Sequence, residues 1–326
     1  MMFFFKSRGR FLLFVLALIL FLCWYFAIGP SSGKPGNFYN KGENAVWLEH
    51  EWVDRFKTPE QIQSLVTRLS SAGMRFVYVH VGPIESDGGI SPQRYPFAND
   101  FLKKARSFDS RMQFLAWMGQ IRGKLKFQDA GIRSRIAETA QVLVDGVGFD
   151  GVHYDIEPLL DEDTDFLTLL EETRTKIGES RTISVALREM IPYFTGKILS
   201  YVLDVDVFNH PDFYQKIAKR SDQIVIMTYE NTIRKAWIYR YFLKNEVIWV
   251  SRALAQTGAK IFIGLPTYDA LSDTFYPEAE NIENGLLGLI DGLNSWRTDE
   301  ENFGGVALFR FGTTSPEEWE MYEKLF

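Results

Sequence analysis

Eight apolar runs rich in Val, Ile and aromatic residues punctuate this chain, and each is followed by a stretch with helical patterning. The runs start at Ala45 (AVWLEHEW), Arg75 (RFVYVHVG), Met112 (MQFLAWMG), Gly151 (GVHYDIE), Thr182 (TISVALRE), Asp222 (DQIVIMTYE), Lys260 (KIFIGLPTY) and Gly304 (GGVALFRF). Helix-like stretches lie at 59–73, 98–107, 132–146, 163–177, 211–220, 237–257, 281–296 and 316–325, with 98–107 the weakest of them. Strands alternating with helices imply a parallel sheet whose faces are covered by the helices. Eight such units over residues 45–326 fit an α/β fold of the closed (β/α)8, or TIM-barrel, type. An open doubly wound sheet is the competing arrangement. It usually carries a ligand motif at its switch point, and the chain has neither GxGxxG nor a phosphate loop.

Local signals support these elements. Thr58-Pro59-Glu60-Gln61 offers an N-cap, a proline at the first helical position and a capping-box partner, and Ser315-Pro316-Glu317-Glu318 repeats the device. The Pro-, Gly- and Tyr-rich insertions at 83–98 and 268–280 follow strands, so both are expected at the catalytic mouth of a barrel.

Upstream of the barrel, Lys6, Arg8 and Arg10 precede an unbroken apolar run from Phe11 to Ile28. At ~1.5 Å per residue the run reaches about 27 Å as a helix, close to the minimum for a membrane span. Basic residues before it favour a cytoplasmic N-terminus and an extracytoplasmic body. The domain plan is therefore 1–28 as a cytoplasmic N-terminus and single-pass anchor, 29–44 as a Gly-, Pro-, Ser- and Asn-rich linker, and 45–326 as the barrel. A cleaved signal peptide, with a secreted body, is the alternative. A net charge of -6 argues against nucleic acid as a partner. The one cysteine, Cys23, lies in the apolar run, so the barrel has neither a disulfide nor a thiol nucleophile.

Phe149-Asp150-Gly151-Val152-His153-Tyr154-Asp155-Ile156-Glu157 reads as the fourth strand, with ionisable residues at alternate positions. Alternate residues share a face. His153, Asp155 and Glu157 thus point into the barrel, with Glu157 at the carboxyl end where barrel enzymes work. A metal site from these three is a poor reading, because all come from one strand; no metal or cofactor is expected. The other strand ends bring Glu49, His80, Trp117, Arg188, Tyr229, Glu230 and Tyr268 toward the same mouth, with Phe309 on the last strand. Acids among aromatic rings suit a polysaccharide or oligosaccharide substrate. A glycosidase commonly uses two carboxyls flanking the bond it cleaves. The seventh strand ends in Gly264-Leu265-Pro266-Thr267-Tyr268 and offers no nucleophilic Glu. A second route has the substrate's own N-acetyl group attack the sugar carbon. It needs a protonated acid, a neighbouring carboxylate and a hydroxyl donor, roles open to Glu157, Asp155 and Tyr229.

Asp150-Gly151-Val152-His153-Tyr154-Asp155-Ile156-Glu157 resembles the DGxDxDxE signature of glycoside hydrolase family 18, the chitinase-like barrels. Met227-Thr228-Tyr229-Glu230 is similar to that family's MxYD, and Ile261–Tyr268 and Gly304–Ala307 resemble its seventh and eighth strands. The resemblance implies a retaining hydrolase of N-acetylhexosamine polymers that needs no metal. Glu157 would protonate the leaving oxygen, Asp155 would polarise the acetamide and Tyr229 would donate to its oxygen. Glu230, His153, Glu49, His80, Trp117, Arg188, Tyr268 and Phe309 would contact substrate. This chain departs from the pattern at three places: His153 replaces the Asp that the signature has two residues before Asp155, Glu230 replaces the Asp after the tyrosine, and Phe309 stands where a tryptophan is usual. Two other functions remain open at this point. One is a non-catalytic glycan-binding barrel of envelope or exopolysaccharide assembly. The other is a glycosidase using Glu157 and Glu230 directly.

Overall fold

The structure, a computed structural model, describes residues 14–21, 33–159, 161–190, 210–270 and 272–326. Eight parallel strands close into a barrel in chain order. They are β1 (Asn44–Leu48), β2 (Met74–Pro83), β3 (Gln113–Ile121), β4 (Gly151–Glu157), β5 (Thr182–Leu187), β6 (Gln223–Met227), β7 (Lys260–Pro266) and β8 (Phe303–Phe309). Each is followed by a helix: α1 (Pro59–Ser71), α2 (Ala98–Phe108), α3 (Ala130–Gln141), α4 (Thr164–Ile177), α5 (Pro211–Ala218), α6 (Ala236–Leu254), α7 (Ile282–Leu293) and α8 (Pro316–Leu325). Both capping boxes form, Thr58 with Gln61 and Ser315 with Glu318.

Two apolar layers follow from the strand period. Outward-facing Val, Ile and Leu side chains pack under the helices: on β4, Val152, Tyr154 and Ile156 are buried, and the Tyr154 hydroxyl hydrogen-bonds Thr173 on α4 at 2.7 Å. Inward-facing Ala45, Trp47, Tyr78, Leu115, Val225, Phe262 and Ala307 fill the lumen. The barrel is solid below its mouth, which leaves the carboxyl ends of the strands as the place for a ligand.

The entry to β4 explains the Asp-Gly pair that begins the motif. Asp150 Oδ2 accepts from the Phe114 amide at 2.9 Å and from Arg106 of α2 at 2.7 Å. A Cβ on Gly151 would lie 2.0 Å from the Thr182 carbonyl oxygen, so only glycine lets β4 close against β5 here.

The structure touches the N-terminal expectations in two places, and most of the apolar run lies outside the described residues. Of the apolar run 11–28, only Phe14–Phe21 falls among the described residues, where it is helical with largely exposed side chains. Among the described residues no helix is long and apolar enough to cross a membrane. The linker read over 29–44 is not free along its second half. The Lys34 amide donates to Asn294 Oδ1 at 2.7 Å, Asn294 Nδ2 donates back to the Lys34 carbonyl at 2.8 Å, and the buried Tyr39 hydroxyl reaches Asn294 as well. Asn294 caps the C-terminal end of α7, at the face of the barrel opposite the mouth.

Candidate active site

The β4 alternation puts Asp155 and Glu157 on the inner face at the strand's carboxyl end. Register aligns Gly119 of β3 with Asp155, so no side chain stands between Asp155 and the Trp117 indole. Trp117 Nε1–H donates to Asp155 Oδ2 at 2.8 Å. Asp155 Oδ1 is buried and receives no N–H or hydroxyl donor among the described residues. The Glu157 carboxyl lies beside that of Asp155, near enough for each to shift the other's titration. Burial first, then the Asp155 charge, push Glu157 up to about 8, against a smaller opposing pull from Arg188. Burial likewise raises Asp155, partly offset by the Trp117 hydrogen bond. Two desolvated neighbouring carboxyls do not both ionise, so Glu157 keeps its proton at neutral pH.

Tyr229 lies two residues beyond the end of β6. Its ring stacks on Phe309, with centroids 5.2 Å apart, and meets Tyr268 edge-on at 6.2 Å. Its hydroxyl is buried without a hydrogen-bond partner among the described residues. Burial and the nearby Asp155 and Glu157 charges raise its pKa well above the usual tyrosine value, so it stays a donor. An unpartnered buried hydroxyl is costly, and a ligand acceptor would satisfy it. Ala186, Met227, Tyr229 and Phe275, with Tyr268 and Phe309 beside them, form an apolar floor next to the acid pair.

The remaining sequence candidates divide. Trp117, Tyr268 and Phe309 are partly buried around that floor, and Trp117 meets Phe309 edge-on at 6.1 Å. Arg188 is half exposed, lies 3.9 Å from Glu189 and acts on Glu157 through its charge. Glu230 takes a left-handed backbone with φ 61 and accepts from the Tyr268 hydroxyl at 3.3 Å. Glu49 pins the loop after β8: its Oε1 accepts from the Gly312 amide at 2.7 Å and lies 3.6 Å from Arg310. His80 packs edge-on against Trp117 at 4.7 Å, and its carbonyl accepts from His50 Nδ1 at 2.9 Å. Burial, then the neighbouring His50, Arg94 and Arg310, hold His80 down to about 4, so it is neutral.

His153 is not a substrate contact. It is 0% exposed and lies one layer deeper than Asp155. Trp47 Nε1–H donates to its Nε2 at 3.1 Å, which places the ring proton on Nδ1, donating to Ser184 Oγ at 2.8 Å. The ring stacks on Tyr78 at 3.9 Å, and burial holds its pKa down to about 3. A neutral imidazole with both nitrogens used fills the lumen where the resemblance leads one to expect a second acid. The strand's period assigns its face correctly but says nothing of its depth.

Sequence reasoning missed Glu280. It is 0% exposed and sits one residue before the N-cap of α7. Its oxygens accept from the Glu230 amide at 2.7 Å and the Ile233 amide at 3.1 Å. Burial pushes it up to about 7 against those backbone hydrogen bonds. An acid just ahead of a helix reads in sequence as a simple dipole partner, and nothing in the pattern pairs it with the loop after β6. Among the described residues no cluster of His, Cys, Asp and Glu is arranged to hold a metal.

The sequence matches no family profile and no curated protein. The fold does match solved structures. The spore cortex-lytic enzyme SleL of Bacillus megaterium QM B1551 superposes with a TM-score of 0.58 at 15% identity, over 87% of this chain and 74% of that one. A chitinase from Bacteroides thetaiotaomicron gives 0.57 at 12% identity, over 87% and 94%. The family GH18 chitinase of Cycas revoluta, solved in complex with allosamidin, gives 0.55 at 15%, over 87% and 98%. The chain thus has the barrel fold of the family 18 chitinases that its motifs resemble.

Proposed function

We propose that this barrel is a divergent family 18 glycoside hydrolase that cleaves a polysaccharide containing N-acetylated hexosamines, with the substrate's acetamide as nucleophile. The observation that carries the reading is the Asp155 carboxyl, held by Trp117 beside the buried Glu157 at the end of β4, next to a Tyr229 hydroxyl unpartnered among the described residues. Glu157 gives its proton to the leaving glycosidic oxygen. Asp155, fixed by Trp117, accepts a hydrogen bond from the acetamide N–H and favours the positive charge that develops as the acetamide oxygen bonds to the anomeric carbon. The Tyr229 hydroxyl donates to that same oxygen and orients it. Water then opens the oxazolinium ring, with Glu157 acting as base, and the anomeric configuration is retained. Fold likeness to chitinases and to a cortex-lytic enzyme supports the substrate class.

The apolar run 11–28 with its basic flank supports a membrane-anchored body working outside the cytoplasm. The packing of residues 34–39 on the face opposite the mouth would then direct the site away from the bilayer.

The test is hydrolysis of matched N-acetylated and non-acetylated oligosaccharides, with inhibition by a thiazoline analogue of the cyclised acetamide. Turnover of the acetylated set with micromolar thiazoline inhibition is expected. Turnover insensitive to the thiazoline points instead to direct attack by Glu230. Saturable binding without turnover points to a glycan-binding barrel.

A further inference from the structure

The loop after β6 has to hold an unusual shape. Glu230 and Thr232 both have left-handed backbones, φ 61 and 63. Neither is glycine, and such residues persist only where their surroundings over-determine them. Three anchors do so here. Thr228 donates from Oγ1 to the Gly264 carbonyl at 2.8 Å, and the Thr232 amide donates to the Thr274 carbonyl at 2.9 Å. Between these two, the Glu280 carboxylate takes the amides of Glu230 and Ile233, one on each oxygen. Glu280 is itself fixed at the head of α7, its amide donating to the Tyr276 carbonyl at 2.8 Å. Sealing a carboxylate away from water is costly unless its hydrogen bonds compensate, and here every bond it makes goes to the turn that starts at Tyr229.

We infer that Glu280 is a positioning residue: from the β7–α7 connection it holds the turn after β6 and so aims the Tyr229 hydroxyl at the acetamide site. It touches no substrate and acts only through Tyr229. The inference rests on the proposed hydrolytic role of Tyr229 and adds to it the part that sets its geometry.

A double-mutant cycle on the full-length protein tests this, with Glu280→Gln, Tyr229→Phe and the pair assayed on an N-acetylglucosamine oligosaccharide. Glu280→Gln keeps the shape but turns one acceptor into an NH2 facing a backbone N–H. The expected result is a loss in kcat of roughly tenfold with KM within about twofold, and a loss below about twofold in the Tyr229→Phe background. A Glu280→Gln loss of the same size in both backgrounds would assign Glu280 to general stability and overturn the inference while leaving the hydrolytic reading intact. Absence of wild-type turnover would instead remove the hydrolytic reading. A second measurement does not depend on the variant folding. Hydrogen exchange in the wild-type protein should show the Glu230 and Ile233 amides protected well beyond ordinary loop values. Unprotected exchange at both would overturn the inference whatever the kinetics show.

Discussion

At the residue scale, the proposed mechanism needs an acid pair that keeps a proton, which burial and mutual repulsion favour. With Glu157 as the proposed proton donor, Glu157→Gln should lower kcat by ~10²- to 10⁴-fold while oligosaccharide affinity stays within a few-fold. Isothermal titration beside a reducing-end assay checks both. Tyr229→Phe removes one hydrogen bond to a developing charge, and a loss of roughly 10- to 150-fold is expected. The pH dependence follows from the direction of the Glu157 shift. Raised to about 8, the acid keeps its proton through neutral pH, and activity in kcat/KM should fall as pH rises through that value. On the acid side a second proton on the pair removes the Asp155 charge, which gives a bell with its basic limb near 8. A basic limb near the ordinary carboxyl value would show that the pair is not desolvated. Glu246 offers an independent check on burial. It is 0% exposed, one oxygen accepts from the Met190 amide at 2.6 Å, and the other has no hydrogen-bond partner among the described residues. Burial raises its pKa well above the usual carboxyl value, so the folded state holds a proton that the unfolded chain has released above ~4.5. Stability conferred by that proton declines as pH rises through this window. Urea melts of Glu246→Gln should therefore gain on the wild type more at pH 8 than at pH 5.

At the level of elements, β4 was readable because its chemistry alternates with its apolar residues, and Asp155 and Glu157 fell on the expected face. Gly151 is the constraint beneath this. With its Cβ position 2.0 Å from the Thr182 carbonyl oxygen, Gly151→Ala should part β4 from β5 and cost ~1–3 kcal/mol or more, seen as a lower urea midpoint. Loss below about 0.5 kcal/mol would contradict the close strand approach. The first strand was read as too long. It ends at Leu48, and His50, with φ -56 and ψ -31, turns the chain into the short helix Glu51–Asp54. Period-two patterning in AVWLEHEW hides that turn, because Glu and His suit a strand end and a helix start equally. Glu280 was invisible for a different reason: its partners are backbone amides some 50 positions earlier, and backbone donors leave no residue signature.

Across the whole molecule, eight strand–helix units were enough to specify a closed barrel, since consecutive parallel strands that fill their own lumen leave no edge to pair elsewhere. What composition did not disclose is how the lumen is filled. Trp47, Tyr78 and His153 take the volume, and His153 does so as a neutral ring whose two hydrogen bonds are internal. The segment from Lys34 to Tyr39 adds a clasp on the opposite face through Asn294. Asn294→Ala should make cleavage within residues 33–43 faster in limited proteolysis without changing kcat, because the clasp and the mouth lie at opposite ends of the barrel. The central claim, that a once-protonated carboxyl pair drives acetamide-assisted cleavage, is tested most directly by comparing initial rates on two oligosaccharides that differ only in N-acetylation. The account predicts cleavage of the acetylated substrate alone, abolished in Asp155→Asn and in Glu157→Gln; equal rates on both substrates, or an unaffected Asp155→Asn, would contradict it.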